Sequence, residues 1–167
     1  QLQAVLKENP RSTEGLILHG KIALQRGNGA DAITDFRSVL KDQPERVEGY
    51  VLLARAHLMG GQADLARESL DRVIKMKPTL ADAQLMVVGL DVAAGKIKEA
   101  KQRLESLLAA EPNNMAFLGA LFQLQLKEKD WNSSQATLTH LRQAGADSVA
   151  ASLAEGHVAL AQQKWDT

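Results

Sequence analysis

The sequence is poor in the residues that build disulfide-linked, cysteine-metal or β-sheet proteins. It has no cysteine in 167 residues, which excludes a disulfide scaffold and any zinc or iron–sulfur site with cysteine ligands. Aromatic residues make up only 4% and there are four prolines, a composition that favours helices over an all-β sandwich. Twenty basic and twenty acidic side chains give a formal net charge of zero. This balance argues against nucleic-acid binding through a basic surface and against an acidic disordered tail.

Long hydrophobic runs are also missing. The most apolar stretch, Leu85 to Gly95, covers eleven residues and includes Asp91, whereas a membrane-spanning helix needs about 20 apolar residues. We therefore expect no membrane insertion by this segment. The chain opens with Gln1 instead of Met and has no basic-then-apolar leader. We therefore expect a fragment of a longer protein or a processed product. Its 45% apolar and 24% charged residues are typical of a globular protein with a buried core.

The four prolines reveal an internal repeat. Pro10, Pro44, Pro78 and Pro112 follow one another at intervals of 34 residues. Three identical intervals predict a repeat architecture, and we place each proline at position 32 of a 34-residue unit. The predicted segments are 1–12 (the end of a preceding repeat), 13–46, 47–80, 81–114, 115–148 (a degenerate repeat) and 149–167 (the start of a further repeat).

The aligned repeats have a consistent chemistry at equivalent positions. Position 20 is small, position 24 is apolar and position 15 is mostly glycine, as in Ala32/Ala66/Ala100/Ser134, Phe36/Leu70/Leu104/Leu138 and Gly27/Gly61/Gly95/Lys129. Apolar residues spaced by three and four place one stripe on each of two helices per unit. Glycine at position 15 ends the first helix in a left-handed conformation, and proline ends the second. The predicted helices are 13–26, 30–42, 47–60, 63–76, 81–94, 97–110, 115–129, 132–144 and 149–163.

This pattern resembles the tetratricopeptide repeat family, whose 34-residue unit contains W-x2-L-G-x2-Y, A-x3-F and P. The first unit shows it most fully, as Leu16-x2-His19-Gly20-x2-Ala23, Ala32-x3-Phe36 and Pro44. The resemblance implies an all-α fold, a right-handed superhelical α-solenoid of antiparallel helix pairs. It is weaker at position 4, which holds no Trp, and at position 11, where an aromatic residue is usual and His57, Asp91 and Gln125 stand instead.

The resemblance implies a function as a non-catalytic scaffold that binds a protein, peptide or partner helix. In the family, positions 2, 5, 9, 12 and 13 face a concave groove lined by the first helix of each unit. The candidate groove residues are Ile17, Lys21, Leu24, Val51, Arg55, Leu58, Leu85, Val92, Gln123, Leu126, Leu153 and His157. Two apolar rows at positions 5 and 12 flank a row that begins with Lys21 and Arg55. We therefore predict an apolar or amphipathic ligand in helix-in-groove geometry.

Chaperone-tail-binding members of the family hold a terminal carboxylate with Lys and Asn side chains in this groove. Here Ile17 and Leu52 stand where such polar side chains would be needed. We therefore predict that acidic chaperone C-termini do not bind.

Catalysis, metal binding and cofactor binding have little support in the sequence. It contains no glycine-rich phosphate loop and no strand–turn–helix setting for a nucleophilic serine. The histidines (His19, His57, His140 and His157) lack the His-x3-His spacing of a helical zinc site. We interpret them as hydrogen-bonded structural residues and predict that the segment is not an enzyme.

Two other functions remain open. The solenoid ends could associate with a second copy to form a homodimer, or the segment could be a structural spacer in a longer array. The Ala- and Leu-rich units without Trp are similar to bacterial arrays, including the tetratricopeptide lipoproteins of exopolysaccharide and PEP-CTERM sorting systems. This similarity favours the bacterial cell envelope or periplasm over the cytoplasm.

Overall fold

The computed structural model describes residues 9–145 and Gly156, and every regular element in residues 9–145 is an α-helix. The helices are α1 Thr13–Gln25, α2 Gly29–Asp42, α3 Val47–Met59, α4 Ala63–Met76, α5 Ala81–Ala93, α6 Ile97–Ala110, α7 Met115–Lys127 and α8 Trp131–Gln143. Their ends lie within about two residues of the predicted ones, the usual uncertainty of helix boundaries. The all-α fold is confirmed. The helix predicted at 149–163 and the segment 1–8 lie outside the described residues.

The turn within each helix pair has the same backbone geometry. Its second residue has a positive φ, which is 77° at Gly27, 70° at Gly61, 74° at Gly95 and 59° at Lys129. The next backbone N–H donates to the carbonyl five residues before it, at 2.8–2.9 Å in all four turns. This is the Schellman arrangement that satisfies the last carbonyl groups of a helix. The predicted left-handed helix end is confirmed, and Lys129 adopts it although it has a side chain.

Helix starts differ along the chain. Four helices begin with a side chain that accepts a backbone N–H bond, namely Ser12 for α1, Asn28 for α2, Asn114 for α7 and Asp130 for α8. The helices α3, α4 and α6 begin without a side-chain cap. Packing of their apolar faces must therefore supply most of their stability.

The chain divides into two compact units, Gln1–Val87 and Val88–Thr167, with the boundary inside α5. In the first unit, α1 packs on α2, α2 on α3 and α3 on α4. Phe36 of α2 lies fully buried in its core beside Leu52 and Leu53 of α3. A Cβ atom built on Gly20 of α1 would lie 2.5 Å from Cε1 of Phe36. The glycine therefore permits the close approach of α1 to α2.

In the second unit, α7 packs on both α6 and α8. Its core cluster contains Leu118, Phe122, Leu138 and Leu141, and Leu126 packs against it. Phe122 occupies repeat position 8, where the first repeat has Gly20. Within residues 9–145, none of the helices combines the length and hydropathy needed to cross a membrane.

Candidate functional site

A pocket of about 440 Å³ lies between α1 and α3 in the first unit. Its lining residues are Lys21, Leu24, Gln25, Leu52, Arg55 and Met59. The helix α1 supplies repeat positions 9, 12 and 13, and α3 supplies positions 6, 9 and 13. Most of these positions are ones that the repeat pattern assigns to a groove. We call this feature the α1–α3 pocket.

The pocket brings together three of the predicted groove residues, Lys21, Leu24 and Arg55. Gln25 and Met59 also line it, although they were not among the predicted residues. Both stand at repeat position 13, which the family resemblance places in the groove. The repeat alignment could therefore have identified these two residues. Leu52, at position 6, was not among the predicted groove residues either, although it stands where chaperone-tail-binding members of the family would need a polar side chain.

The position-5 residues differ from the prediction. Ile17 is only 6% exposed and belongs to the core cluster of the first unit, and Val51 is 9% exposed. Surrounding protein atoms therefore cover side chains that the sequence analysis placed on an accessible groove. They offer little surface to a partner, and a charged substitution at either would disturb the core. Leu85, at the same position of the third repeat, is half-buried.

The remaining predicted residues are not part of this pocket. Leu58 is exposed on α3 but does not line it. Val92, Gln123 and Leu126 belong to the second unit, where Gln123 is exposed and the other two are half-buried. Leu153 and His157 lie outside the described residues, as do 1–8 and 146–155, so the self-association predicted for the chain ends stays a prediction.

Both cations at the rim of the α1–α3 pocket are already paired. Lys21 Nζ donates to Glu48 Oε1 at 2.7 Å, and Arg55 Nη2 donates to Asp82 Oδ2 at 3.3 Å. Each bond joins position 9 of one repeat to position 2 of the next, 27 residues later. The rim therefore presents two ion pairs, and the floor between them is aliphatic.

Glu48 has a second cationic partner. Arg46 Nη2 lies 3.2 Å from Glu48 Oε2. The hydrogen bond from Lys21 is the largest effect that lowers the pKa of the Glu48 carboxyl, and Arg46 lowers it further, whereas partial burial opposes both. The carboxylate thus stays ionised at pH values where an isolated glutamate begins to take up a proton.

The described histidines have hydrogen-bonding partners, as predicted for structural residues. His19 Nδ1 lies 2.7 Å from Asp35 Oδ2, and the buried His57 places its Nδ1 2.6 Å from Gln62 Oε1. His140 Nε2 lies 3.3 Å from the Asn113 side-chain oxygen. In the part of the chain that the structure describes, no three His, Asp or Glu side chains are grouped so that they could hold a metal ion.

Comparison with solved structures gives matches over nearly the whole chain. A thermophilic tetratricopeptide repeat protein of Thermus thermophilus is 19% identical, with 95% of this chain and 87% of that one covered and a TM-score of 0.74. A tetratricopeptide repeat protein of Parabacteroides merdae is 15% identical, with 98% and 64% covered and a TM-score of 0.79. At these identities the likeness shows the fold.

A third match is a complex. The first tetratricopeptide domain of Spaghetti (RPAP3), solved with the HSP90 peptide SRMEEVD, is 19% identical, with 68% of this chain and 92% of that one covered and a TM-score of 0.59. No curated protein sequence matches significantly. Two tetratricopeptide repeat models match residues 17–81 and 91–156. Together with the 34-residue period and the helix pairs, these matches show that the chain belongs to the tetratricopeptide repeat family.

Proposed function

We propose that this tetratricopeptide scaffold binds an apolar or amphipathic segment of a partner protein in the α1–α3 pocket. The observation that carries the proposal is the apolar surface of Leu24 and Met59 between two ion-paired cations. Met59 is 47% exposed, so a partner can cover a large part of its side chain. The family is typically non-catalytic, which agrees with a binding role.

The size of the pocket limits the affinity that it can supply. Its volume lies at the lower end of the range for ligand sites, about 300–1,000 Å³. Burying one leucine-sized side chain contributes about 1.5–3 kcal/mol before ordering costs, whereas a micromolar complex needs about 8 kcal/mol. A micromolar partner must therefore place further anchors along the same scaffold.

The chemistry of the pocket also disfavours an acidic chaperone tail. Lys21 and Arg55 are engaged by Glu48 and Asp82, so an incoming carboxylate would have to displace these pairs. Ile17 and Leu52, which stand where polar ligands for a terminal carboxylate would be needed, are both buried. These features support a ligand held by side-chain burial.

A charged substitution in the floor tests the proposal. The probe is a fluorescein-labelled helical peptide with leucines spaced i, i+3, i+4 and i+7 and with glutamine and alanine elsewhere, and its binding is followed by fluorescence anisotropy. Met59→Glu should weaken binding by about tenfold, because the carboxylate would lose hydration under the ligand. Met115→Glu is the matched control, since Met115 is 39% exposed on α7 and does not line the pocket.

Circular dichroism should show equal helicity for both variants. Loss of affinity in Met59→Glu alone supports the proposal. Equal affinity of Met59→Glu and wild type, or an equal loss in the Met115→Glu control, would show that the α1–α3 pocket is not the binding surface.

A further inference from the structure

A second pocket in the first unit is lined by different helices. It has a volume of about 340 Å³ and lies between α2 and α4, with α3 beneath. Three leucines, Leu40, Leu53 and the exposed Leu65, form its aliphatic floor, and the buried polar residues His57 and Ser69 also line it. We call it the α2–α4 pocket, and nothing in the proposed groove function uses it.

The rim of the α2–α4 pocket is cationic. Arg37 and Lys41 of α2 and Arg72 of α4 line it, and Glu68 is its one lining carboxylate. Arg37 and Lys41 are exposed, and among the described residues neither has a carboxylate oxygen within 4.0 Å. This is the reverse of the α1–α3 pocket, where both cations are paired.

Arg72 is held in place by an aromatic ring. Its guanidinium carbon lies 5.6 Å from the centroid of the Tyr50 ring, and its Nη1 lies 3.4 Å from the Tyr50 hydroxyl. Stacking of this kind orders the guanidinium without neutralising its charge. The remaining N–H groups of Arg72 can therefore meet an incoming anion with little further loss of side-chain entropy.

The repeat does not require these cations. Position 25, which is Arg37 in the first repeat, reads Arg37/Asp71/Glu105/Thr139 along the chain, and position 29 reads Lys41/Lys75/Ala109/Gln143. The first two repeats thus form a cationic pocket for which the helix packing itself gives no reason. A local charge pattern on a regular scaffold indicates a binding surface.

We infer that the α2–α4 pocket docks an acidic segment of a partner protein in which a carboxylate side chain stands next to a leucine or phenylalanine. The carboxylate meets Arg37, Lys41 and Arg72, and the apolar side chain covers the aliphatic floor. A free inorganic anion would leave that floor bare. Charge complementarity therefore selects the partner, and the floor selects a peptide over a simple ion.

The test uses a fluorescein-labelled ten-residue peptide of alternating glutamate and leucine, with anisotropy measured at low and at physiological salt. The double variant Arg37→Gln/Lys41→Gln should bind about tenfold more weakly, as expected for the loss of two exposed charge contacts. Arg26→Gln/Lys98→Gln is the matched control, because it removes the same charges at exposed residues that line neither pocket. Glu68→Gln should bind the peptide more tightly, since it removes the like charge from the rim. Salt should weaken the wild-type complex.

Four results would overturn the inference. They are equal affinity of the Arg37→Gln/Lys41→Gln variant and its control, equal binding of a peptide with lysine in place of glutamate, an affinity for inorganic phosphate equal to that for the peptide at constant ionic strength, and loss of acidic-peptide binding in the Met59→Glu variant. The last result would place the peptide in the α1–α3 pocket. Failure of the proposed groove function alone would leave the acidic peptide bound, so the two proposals fail separately.

Discussion

The first and fourth helix pairs differ in the side chains that they bury at repeat positions 8 and 24. In the first pair, Gly20 at position 8 faces Phe36 at position 24, and the ring is fully buried. In the fourth pair, position 8 is Phe122 and position 24 is Leu138, both buried in one cluster. The fourth pair thus holds the larger sum of side-chain volume at these two positions, although both pairs are buried. The repeat requires apolar packing between its two helices here, but it does not fix the combined size of the two side chains.

The two units also differ in the ion pairs that join successive repeats. In the first unit, cations at position 9 pair with acids at position 2 of the following repeat, as in Lys21 with Glu48. In the second unit, the residues at these positions are Gly89, Ala116 and Gln123, which cannot form such pairs. The paired cations beside an apolar pocket are therefore a local property of the first unit.

The largest expected effect comes from removing the space that Gly20 provides. Gly20→Ala would place a methyl group against the buried ring of Phe36, and such overpacking costs up to about 3 kcal/mol. The better helix propensity of alanine offsets about 1 kcal/mol of this cost. We therefore expect the free energy of unfolding in urea to fall by about 2 kcal/mol. Gly89→Ala is the control, because no heavy atom lies within 4 Å of its would-be Cβ. It should raise the unfolding midpoint.

The contact between Gly20 and Phe36 can be tested directly with a double-mutant cycle. Combining Gly20→Ala with Phe36→Leu moves the first pair towards the arrangement of the fourth. The leucine side chain is smaller than the phenylalanine ring and leaves room for the new methyl group. The double variant should therefore be more stable than the sum of the two single effects predicts, by about 1 kcal/mol. Additive losses would show that the two positions do not share one space.

A smaller effect is expected at the turn of the fourth pair. Lys129 has a φ of 59°, which costs a residue with a side chain about 1–2 kcal/mol, whereas glycine tolerates it. Lys129→Gly should therefore stabilise the protein by about 1 kcal/mol in thermal or urea unfolding. The reverse exchange, Gly61→Lys, should destabilise it by a similar amount. A destabilised Lys129→Gly would mean that the lysine side chain makes a contact worth more than the backbone strain.

The smallest expected effect is a pH dependence that belongs to the first unit. The hydrogen bond from Lys21 lowers the pKa of Glu48 in the folded protein below its ordinary value of 4.5. As the pH falls, the Glu48 carboxylate therefore takes up a proton at a higher pH in the unfolded chain than in the folded protein. The stabilisation is fully present above pH 4.5 and is lost as the pH falls through the lowered pKa. Glu48→Gln should cost at most about 1 kcal/mol near neutral pH, because the pair is exposed.

The measurement is the unfolding midpoint between pH 3 and pH 7. Wild type should lose more stability on acidification than Glu48→Gln does. Glu105→Gln is the control, since Glu105 is exposed and has no ion pair among the described residues. Parallel pH curves for wild type and Glu48→Gln would contradict the assignment of this ion pair.

Much of the fold could be read from the sequence because its signals are local. The proline interval, the glycine at position 15 and the spacing of apolar residues each act within one helix pair, and they gave all eight described helices to within about two residues. The site was predicted less completely. Lys21, Leu24 and Arg55 line the α1–α3 pocket, Met59 lines it without having been predicted, and Ile17 and Val51 are buried instead of accessible.

The sequence by itself determined the repeat length, the helix pairs and the left-handed turns, since backbone preferences and periodicity depend on near neighbours along the chain. Only the tertiary structure decided which side chains of a helix face remain open. Exposure depends on the neighbouring helix, as the buried Val51 and the exposed Met59 of α3 show. It also decided that Lys21 and Arg55 are paired whereas Arg37 and Lys41 are not, because a charge pair between repeats depends on distances that no local pattern records.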